Sequence, residues 1–244
     1  MGGISGRTGL EVARRLALEP DVEVEAAVGA RSVGRPLRDF LGPGAEGLVY
    51  ANVEEAFRSV GEADVYVDFT HAAAAAMNAL QAPRLGMRPL LGTSGIAPED
   101  IERLREAVVR FDMSGAIIPN FALGSLRAKR LALELARDYD EIEIIEYHGR
   151  HKRDKPSGTT RDLDESLRAM GRRAAVHSVR LSGLVAHQAV LFGSEGETIT
   201  IRHDVTSRSA YAEGVLAAAR ALMSRKGFFL SLEDLTTAVW PTDG

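Results

Sequence analysis

The sequence of 244 residues contains no cysteine. Disulfide bonds, thiolate nucleophiles and cysteine-ligated zinc or iron–sulfur centres are therefore excluded. The sequence also lacks an excess of positive charge, because 30 Lys and Arg against 34 Asp and Glu give a formal net charge of −4. No overall basic field is therefore available to attract nucleic acid or an anionic membrane. No apolar run approaches the ~20 residues that span a bilayer, and the first residues have no apolar signal core, so we expect a cytoplasmic protein.

The order of the predicted elements indicates two domains. Before residue 120, helix candidates alternate with strand candidates at 22–28, 63–69 and 89–91, which is typical of βαβ units with a parallel sheet. One of these helices is predicted over 98–111 from its Pro98-Glu99-Asp100 start, and a further helix is predicted over 126–138. Three later segments are predicted as antiparallel strands: 177–181, 187–192 and 198–203. We therefore predict an α/β fold with a Rossmann-like, parallel-sheet nucleotide domain, residues 1–120 and 205–244. Residues 121–204 are predicted to form a second, α+β domain with a mixed or antiparallel sheet.

A glycine-rich segment, Gly3-x-x-Gly6-x-x-Gly9, directly precedes the first predicted helix. Glycines at this spacing let the backbone approach a pyrophosphate, and the helix N-terminus supplies N–H groups. A plain turn is an equally good interpretation, because the motif should follow a buried strand and only Met1 and Gly2 precede it. Either that strand is missing or another segment fills its place.

The residues after the second predicted strand bear on the choice of nucleotide. An acid at this point would bind the ribose 2′-hydroxyl, but the sequence has Arg31 and Ser32 instead. Such a pair accommodates a 2′-phosphate and favours NADPH. The alternative is that Arg31 is an ordinary solvated loop residue.

The segment 146–160 carries the most chemistry, with two histidines, several cations and a Ser-Gly-Thr-Thr sequence at a predicted helix start. Backbone N–H groups and hydroxyls at 157–159 suit a carboxylate. His148 can titrate near neutrality as a general acid, and Arg150 and Lys152 add charge for an anionic substrate. A solvated basic loop followed by an ordinary N-cap is an equally weighted alternative.

At this point the sequence resembles the 4-hydroxy-tetrahydrodipicolinate reductase (dihydrodipicolinate reductase) family. The stretch His148…Lys152-x-Asp154-x-Pro156-Ser157-Gly158-Thr159 is similar to the family's signature, and the glycine-rich segment is similar to its cofactor loop. Further similar motifs follow in the family's order: Asp68-Phe69-Thr70, Gly92-Thr93-Ser94-Gly95, 119–124, 177–188 and 201–208. The resemblance covers nearly the whole chain.

The resemblance implies a two-domain oxidoreductase of lysine and diaminopimelate biosynthesis, in which NADPH or NADH reduces a cyclic imine dicarboxylate with loss of water. It implies that His148 and Lys152 form the acid/base pair, and that Ser157, Gly158 and Thr159 hold a substrate carboxylate. Together with Arg31, the expected cofactor-binding residues are Gly3, Gly6, Arg7, Thr8, Thr70, Gly92, Thr93, Ser94, Asn120 and Phe121. The resemblance also implies a homotetramer assembled through the sheet of the second domain. We expect no metal, nucleic-acid or membrane partner.

Departures from the family pattern leave two alternatives open. The family usually has two adjacent histidines, but Gly149 stands in place of the second. One alternative is a nicotinamide-dependent dehydrogenase of another amino or imino acid. The other, which the missing first strand suggests, is a non-catalytic oligomeric protein without a working nucleotide site. Among the remaining residues, Asp68 is predicted to cap the following helix, and Trp240 is predicted to pack against the body of the protein.

Overall fold

The structure is a computed structural model that describes residues 1–236. The chain forms two compact units, one comprising residues 1–121 and the chain from residue 211 onward, the other comprising residues 122–210. Trp240, whose packing was predicted, lies outside the described residues. No helix within the described range is long and apolar enough to cross a membrane.

The helices and strands of the described chain are short and numerous. The strands are β1 (Ala27–Val28), β2 (Val49–Tyr50), β3 (Val65–Asp68), β4 (Arg88–Leu91), β5 (Ser114–Ile117), β6 (Glu141–His148), β7 (Ala174–Arg180), β8 (Ala186–Ser194), β9 (Glu197–Val205) and β10 (Gly227–Phe229). The α-helices are α1 (Arg7–Leu16), α2 (Arg38–Leu41), α3 (Val53–Val60), α4 (Ala72–Ala79), α5 (Pro98–Arg110), α6 (Leu123–Leu135), α7 (Gly158–Ala169), α8 (Ala212–Ser224) and α9 (Leu232–Thr236).

The first unit is built on parallel strands. β1 pairs with β2, and β3, β4, β5 and β10 pair in that order, always in parallel. Gly2 joins the two sets through parallel bridges to Val28 and Asp68. The order across the sheet is therefore β2-β1-Gly2-β3-β4-β5-β10, which is the Rossmann order with one added strand. This confirms the predicted parallel sheet.

The place of the first strand, which the sequence left in doubt, is filled by Met1 and Gly2. The Gly2 N–H donates to the Val67 carbonyl at 2.7 Å, and the Val28 N–H donates to the Met1 carbonyl at 2.8 Å. By contrast, the predicted strand 22–28 contracts to the two residues of β1. Gly2 pairs with β1 at one residue and β2 pairs with it at two, so the rest of segment 22–28 has no strand to pair with.

Helices cover both faces of this sheet. The adjacent β1 residues Ala27 and Val28 point to opposite faces and belong to different hydrophobic clusters. The cluster around Val28 includes buried residues of α3, α4 and α5, whereas the cluster around Ala27 includes residues of α1 and α2. The α5 helix begins as predicted at Pro98, with Glu99 and Asp100 in its first turn.

The second unit is a four-stranded mixed sheet in the order β7-β6-β8-β9. β6 pairs antiparallel with β8, and β8 with β9, as predicted. The prediction that segment 177–181 is antiparallel is wrong, because β7 runs parallel to β6. The physical reason is that α7 lies between these two strands in the chain and returns it to the same end of the sheet, forming a βαβ crossover.

Candidate active site

The glycine-rich turn joins Gly2 to α1 through close backbone packing. A side chain on Gly9 would place its Cβ 2.2 Å from the Gly3 carbonyl oxygen, and Gly3 itself has φ +84°. The Gly6 N–H donates to the same Gly3 carbonyl at 2.9 Å. Gly6 is the N-cap of α1 and provides no side-chain cap, so the first-turn N–H groups point to an exposed surface that includes Arg7. This geometry suits a phosphate.

Asp68, at the end of β3, organises the neighbouring strand ends. Its side chain is fully buried. One carboxylate oxygen, Oδ1, accepts from the Thr70 N–H at 2.8 Å, the Thr70 hydroxyl at 2.7 Å and the Thr93 hydroxyl at 2.9 Å, and Oδ2 accepts from the Tyr66 hydroxyl. Burial raises the pKa of Tyr66, and the adjacent Asp68 charge adds to the rise. The prediction that Asp68 caps α4 is wrong, since His71 is the N-cap and Asp68 bonds to residues before the helix.

The predicted cofactor residues of the first unit follow the carboxyl ends of its parallel strands. Thr70 follows β3, the 92–94 segment follows β4, and Asn120 and Phe121 follow β5. Ligands bind at this edge of an open parallel sheet. Gly92 lies against the Phe69 ring, which a Cβ there would approach to 2.2 Å, and the Phe69 and Phe121 ring centroids are 5.8 Å apart.

Exposure differs among these residues. Arg31 and Ser94 are exposed, whereas Thr93 and Phe121 are buried. Thr93 therefore contributes through its bond to Asp68, and Phe121 through ring packing. Arg31 and Ser94, like Arg7, have exposed side chains that can reach a ligand directly.

In the second unit, the face of β6 that is turned toward α6 and α7 changes from apolar to polar along the strand. Ile142 and Ile144 on that face belong to the hydrophobic core. Glu146 and His148 continue the same face, because side chains alternate along a strand. The His148 side chain is 15% exposed, and its Nδ1 lies 3.8 Å from Glu146 Oε2, beyond hydrogen-bond distance. Burial lowers the pKa of His148, and Lys152 and Arg180 lower it further against the opposing effect of Glu146.

Lys152 lies in the loop between β6 and α7. Its backbone N–H donates to the Gly149 carbonyl at 3.0 Å, which makes a turn directly after His148. The Lys152 ammonium lies 2.9 Å from Asp154 Oδ1 and its side chain is 32% exposed, so the charge is oriented but accessible. Arg150 and His151, which could stand in for the family's second histidine, are exposed and bond to each other.

The start of α7 holds the predicted carboxylate-binding residues. Ser157 is the N-cap, and its hydroxyl oxygen accepts from the Thr160 N–H at 3.3 Å. Ser157 is buried, whereas Gly158 is exposed, and a Cβ on Gly158 would approach only Arg161, at 3.9 Å. Space for an anion therefore lies over the first turn of the helix.

Glu146 is the residue of this site that sequence reasoning missed as a functional group. It is fully buried and accepts hydrogen bonds from Ser157, Thr160, Ser178 and Arg180. Burial raises the pKa of Glu146, but the bonds from Ser157, Ser178 and Arg180 outweigh it and lower the pKa to about 2. A signal was present in the sequence: Glu146 falls on the same strand face as Ile142 and Ile144, opposite to Glu141 and Glu143.

The other histidines of this unit have partners of their own. His177 bonds to Glu143, His187 bonds to Asp204 at 2.8 Å, and His203 packs against Gly124. Among residues 1–236, no group of three or more acidic or histidine side chains is placed to hold a metal ion.

Comparisons with known proteins cover both units. The family model for dihydrodipicolinate reductase, N-terminus, matches residues 1–121, and that for dihydrodipicolinate reductase, C-terminus, matches residues 123–236. The 4-hydroxy-tetrahydrodipicolinate reductase of Symbiobacterium thermophilum is 38% identical over an alignment of 242 residues, and the match covers 96% of this chain and 95% of that protein. The enzyme of the same name from Thermosynechococcus vestitus is 35% identical over 260 residues, covering 96% and 94%. A solved, dipicolinate-bound dihydrodipicolinate reductase from Paenisporosarcina sp. has a TM-score of 0.80 at 27% identity, covering 96% of this chain and 97% of that one.

Proposed function

Because the chain belongs to the dihydrodipicolinate reductase family, we propose that it reduces 4-hydroxy-tetrahydrodipicolinate to tetrahydrodipicolinate with NADPH or NADH, in lysine and diaminopimelate biosynthesis. The observation that carries the proposal is the match of both family models, which together span residues 1–121 and 123–236. The two sites described above fit the two ligands that this reaction needs.

The first unit fits a nicotinamide nucleotide. Gly3 and Gly9 form a cradle that a Cβ would fill, and α1 starts there without a side-chain cap. These features suit a pyrophosphate. When bound, the nucleotide supplies the hydride. Arg31 is exposed after β1, where a 2′-phosphate would be recognised, so we expect NADPH to be preferred over NADH.

The second unit fits an anionic, dicarboxylate substrate. The first turn of α7, with Gly158 exposed and Thr159 beside it, would bind one carboxylate through backbone N–H groups and the helix dipole. The Ser157 N–H is already donated to Glu146, so Ser157 acts by holding this turn in shape. Lys152 adds an accessible positive charge.

His148 and Lys152 then take the two proton-transfer roles, His148 as the acceptor and Lys152 as the donor. The lowered pKa of His148 keeps its imidazole neutral near pH 7, where it can accept a proton from the substrate ring. Lys152 carries a proton to donate, and Asp154 orients its ammonium. The substrate loses water in this reaction, so a paired acceptor and donor are the groups that the chemistry requires.

The test follows the disappearance of NADPH when the purified protein is given 4-hydroxy-tetrahydrodipicolinate. Loss of a general acid typically lowers kcat by about 100-fold or more, and we expect this of Lys152→Ala, with NADPH affinity unchanged. Lys155→Ala, an exposed lysine of the same loop, is the matched control. No turnover of this substrate by the unaltered protein, with turnover of another imino or amino acid, would favour the alternative dehydrogenase. Absence of nucleotide binding would favour the non-catalytic alternative.

We also propose that the protein is a cytoplasmic homotetramer assembled through the mixed sheet. The face of this sheet opposite to α6 and α7 carries Ile145, Tyr147 and Leu191, which are half-buried, beside the ion pair of His187 and Asp204. An apolar patch with a polar border is typical of a subunit interface. Sedimentation analysis should give four times the chain mass, and Leu191→Lys should reduce it.

A further inference from the structure

We propose that Glu146 is a positioning residue of the substrate site. Its buried carboxylate holds both the helix start that would bind a substrate carboxylate and the loop that carries Lys152. The inference rests on the proposed function, which assigns those two segments to the substrate, and it deepens that function by naming the group that sets their geometry.

The first arm of the network fixes the start of α7. Glu146 Oε2 accepts from the Ser157 N–H at 2.8 Å and from the Thr160 hydroxyl at 2.9 Å. The Thr160 hydroxyl also accepts from Gln188 on β8 at 2.9 Å. The first turn of the helix is thus tied to two strands of the sheet, and its exposed N–H groups are held in one orientation.

The second arm fixes the loop that carries Lys152. Glu146 Oε1 accepts from the Ser178 hydroxyl at 2.7 Å and from Arg180 Nη2 at 2.6 Å. The same Nη2 of Arg180 donates to the Asp154 carbonyl at 2.6 Å, and the Asp154 carboxylate lies 2.9 Å from the Lys152 ammonium. A continuous chain of polar contacts therefore joins Glu146 to Lys152.

A carboxylate with two accepting oxygens is required at Glu146, and a side chain of the same shape is not sufficient. All four of its partners donate, and a glutamine amide has only one oxygen to accept them. The hydroxyls of Ser178 and Thr160 can rotate to accept from an amide. The Ser157 N–H on one side and the Arg180 guanidinium on the other cannot. In Glu146→Gln, either orientation of the new amide would therefore place an NH₂ group against a donor, and one arm would be released.

Glu146 also acts on His148 through its charge. The charged groups that face His148 are Glu146 on the same strand, Lys152 and Asp154 in the loop, and Arg180 on β7. Two anions, Glu146 and Asp154, oppose the lowering of the His148 pKa by burial, and Glu146 has the larger effect. Neutralising Glu146 should consequently lower the pKa of His148 further and move the acid limb of the pH–rate profile to lower pH.

The experiment compares Glu146→Gln with Glu165→Gln, which alters an exposed glutamate on α7. We expect Glu146→Gln to raise KM for the substrate and Kd for pyridine-2,6-dicarboxylate about tenfold or more, to lower kcat, and to leave Kd for NADPH within about twofold. Amide hydrogen exchange should quicken in residues 150–160. The acid limb of kcat/KM should move to lower pH. Glu165→Gln should match the unaltered protein in every measurement.

Unchanged KM and dicarboxylate affinity in a folded Glu146→Gln protein would overturn the proposal, since a purely structural carboxylate would affect only stability. If this variant does not fold, Arg180→Lys replaces it: a lysine ammonium cannot span Oε1 and the Asp154 carbonyl as the guanidinium does, so kcat should fall more than dicarboxylate affinity. Equal effects on both, or none, would count against the second arm. If the unaltered protein binds the dicarboxylate but reduces no substrate, the proposed function fails while exchange and binding still test Glu146.

Discussion

Gly9 offers a direct test of the nucleotide cradle, because the overlap that a side chain there would cause is known as a distance. In Gly9→Ala the new Cβ would lie 2.2 Å from the Gly3 carbonyl oxygen and 2.7 Å from its carbonyl carbon. Ordinary contact begins near 3.4 Å, so the turn and α1 must separate by about 1 Å. The obstacle is backbone, which cannot rotate out of the way as a flexible side chain can.

The expected free energies oppose each other. Alanine in place of glycine favours a helix by about 1 kcal/mol, whereas overpacking of this kind costs about 1–3 kcal/mol or more. Because a 2.2 Å approach to backbone belongs at the upper end of the overpacking range, we expect a net loss in the free energy of unfolding of about 2 kcal/mol. Displacement of the turn from the helix start should also weaken NADPH binding about tenfold, which corresponds to about 1.4 kcal/mol.

The assay is a titration of NADPH followed by its fluorescence, together with thermal unfolding of each variant. Gly6→Ala provides a graded comparison, because its Cβ would lie 3.2 Å from the same carbonyl oxygen and needs only a few tenths of an ångström. Glu11→Ala on the same helix is the control for helix propensity. If Gly9→Ala bound NADPH within twofold of the unaltered protein and melted no earlier, the cradle would not depend on this contact and the reasoning would be wrong.

Three further outcomes follow from the structure. Gly124→Ala should lower the free energy of unfolding, measured in urea, by about 1–3 kcal/mol, because its Cβ would lie 2.6 Å from His203 Nε2. Adding His203→Ala should restore part of that loss, and additive losses would contradict the proposed clash. The pKa of Glu146, lowered from 4.5 to about 2, should contribute about 3 kcal/mol of stability that is present above pH 4.5 and is lost as the pH falls toward 2. Urea unfolding across this range should show that Glu146→Gln removes this part of the pH dependence, and parallel curves would count against it. Arg31→Ala should raise KM for NADPH several-fold and leave KM for NADH unchanged, and an equal effect on both would remove the 2′-phosphate assignment.

The sequence predicted those features that depend on local pattern. Helix α5 was predicted from its Pro98 start, and the two central parallel strands β3 and β4 were predicted as segments 63–69 and 89–91. Short elements were missed, among them β2 and β10, because two or three residues are too few for periodicity to appear. The predicted start of α6 was three residues late, since its N-cap, Ala122, provides no side-chain signal.

Features that depend on contacts between distant parts of the chain could not be predicted from the sequence. The alternating pattern of β7 is the same for a parallel and an antiparallel neighbour, and only the α7 crossover decides between them. Asp68 was assigned to the wrong partner for a similar reason. Its Thr93 contact lies 25 residues away in sequence, and three bonds to the turn and to Thr93 together outcompete a capping role at α4.

The face of β6 shows why the motif around His148 needs the strand that precedes it. Ile142 and Ile144 lie in the hydrophobic core and pack the strand against α7. The next two residues of the same face, Glu146 and His148, therefore lie at the start of that helix. A carboxylate at this boundary is buried enough to lose water, which is unfavourable until several donors replace it. The hydrogen bonds made by those donors hold the helix start and the Lys152 loop in place. The free energy of desolvating one glutamate is thus offset by bonds that also order the site, so a change in Ile144 should affect stability, whereas a change in Glu146 should affect both stability and substrate binding.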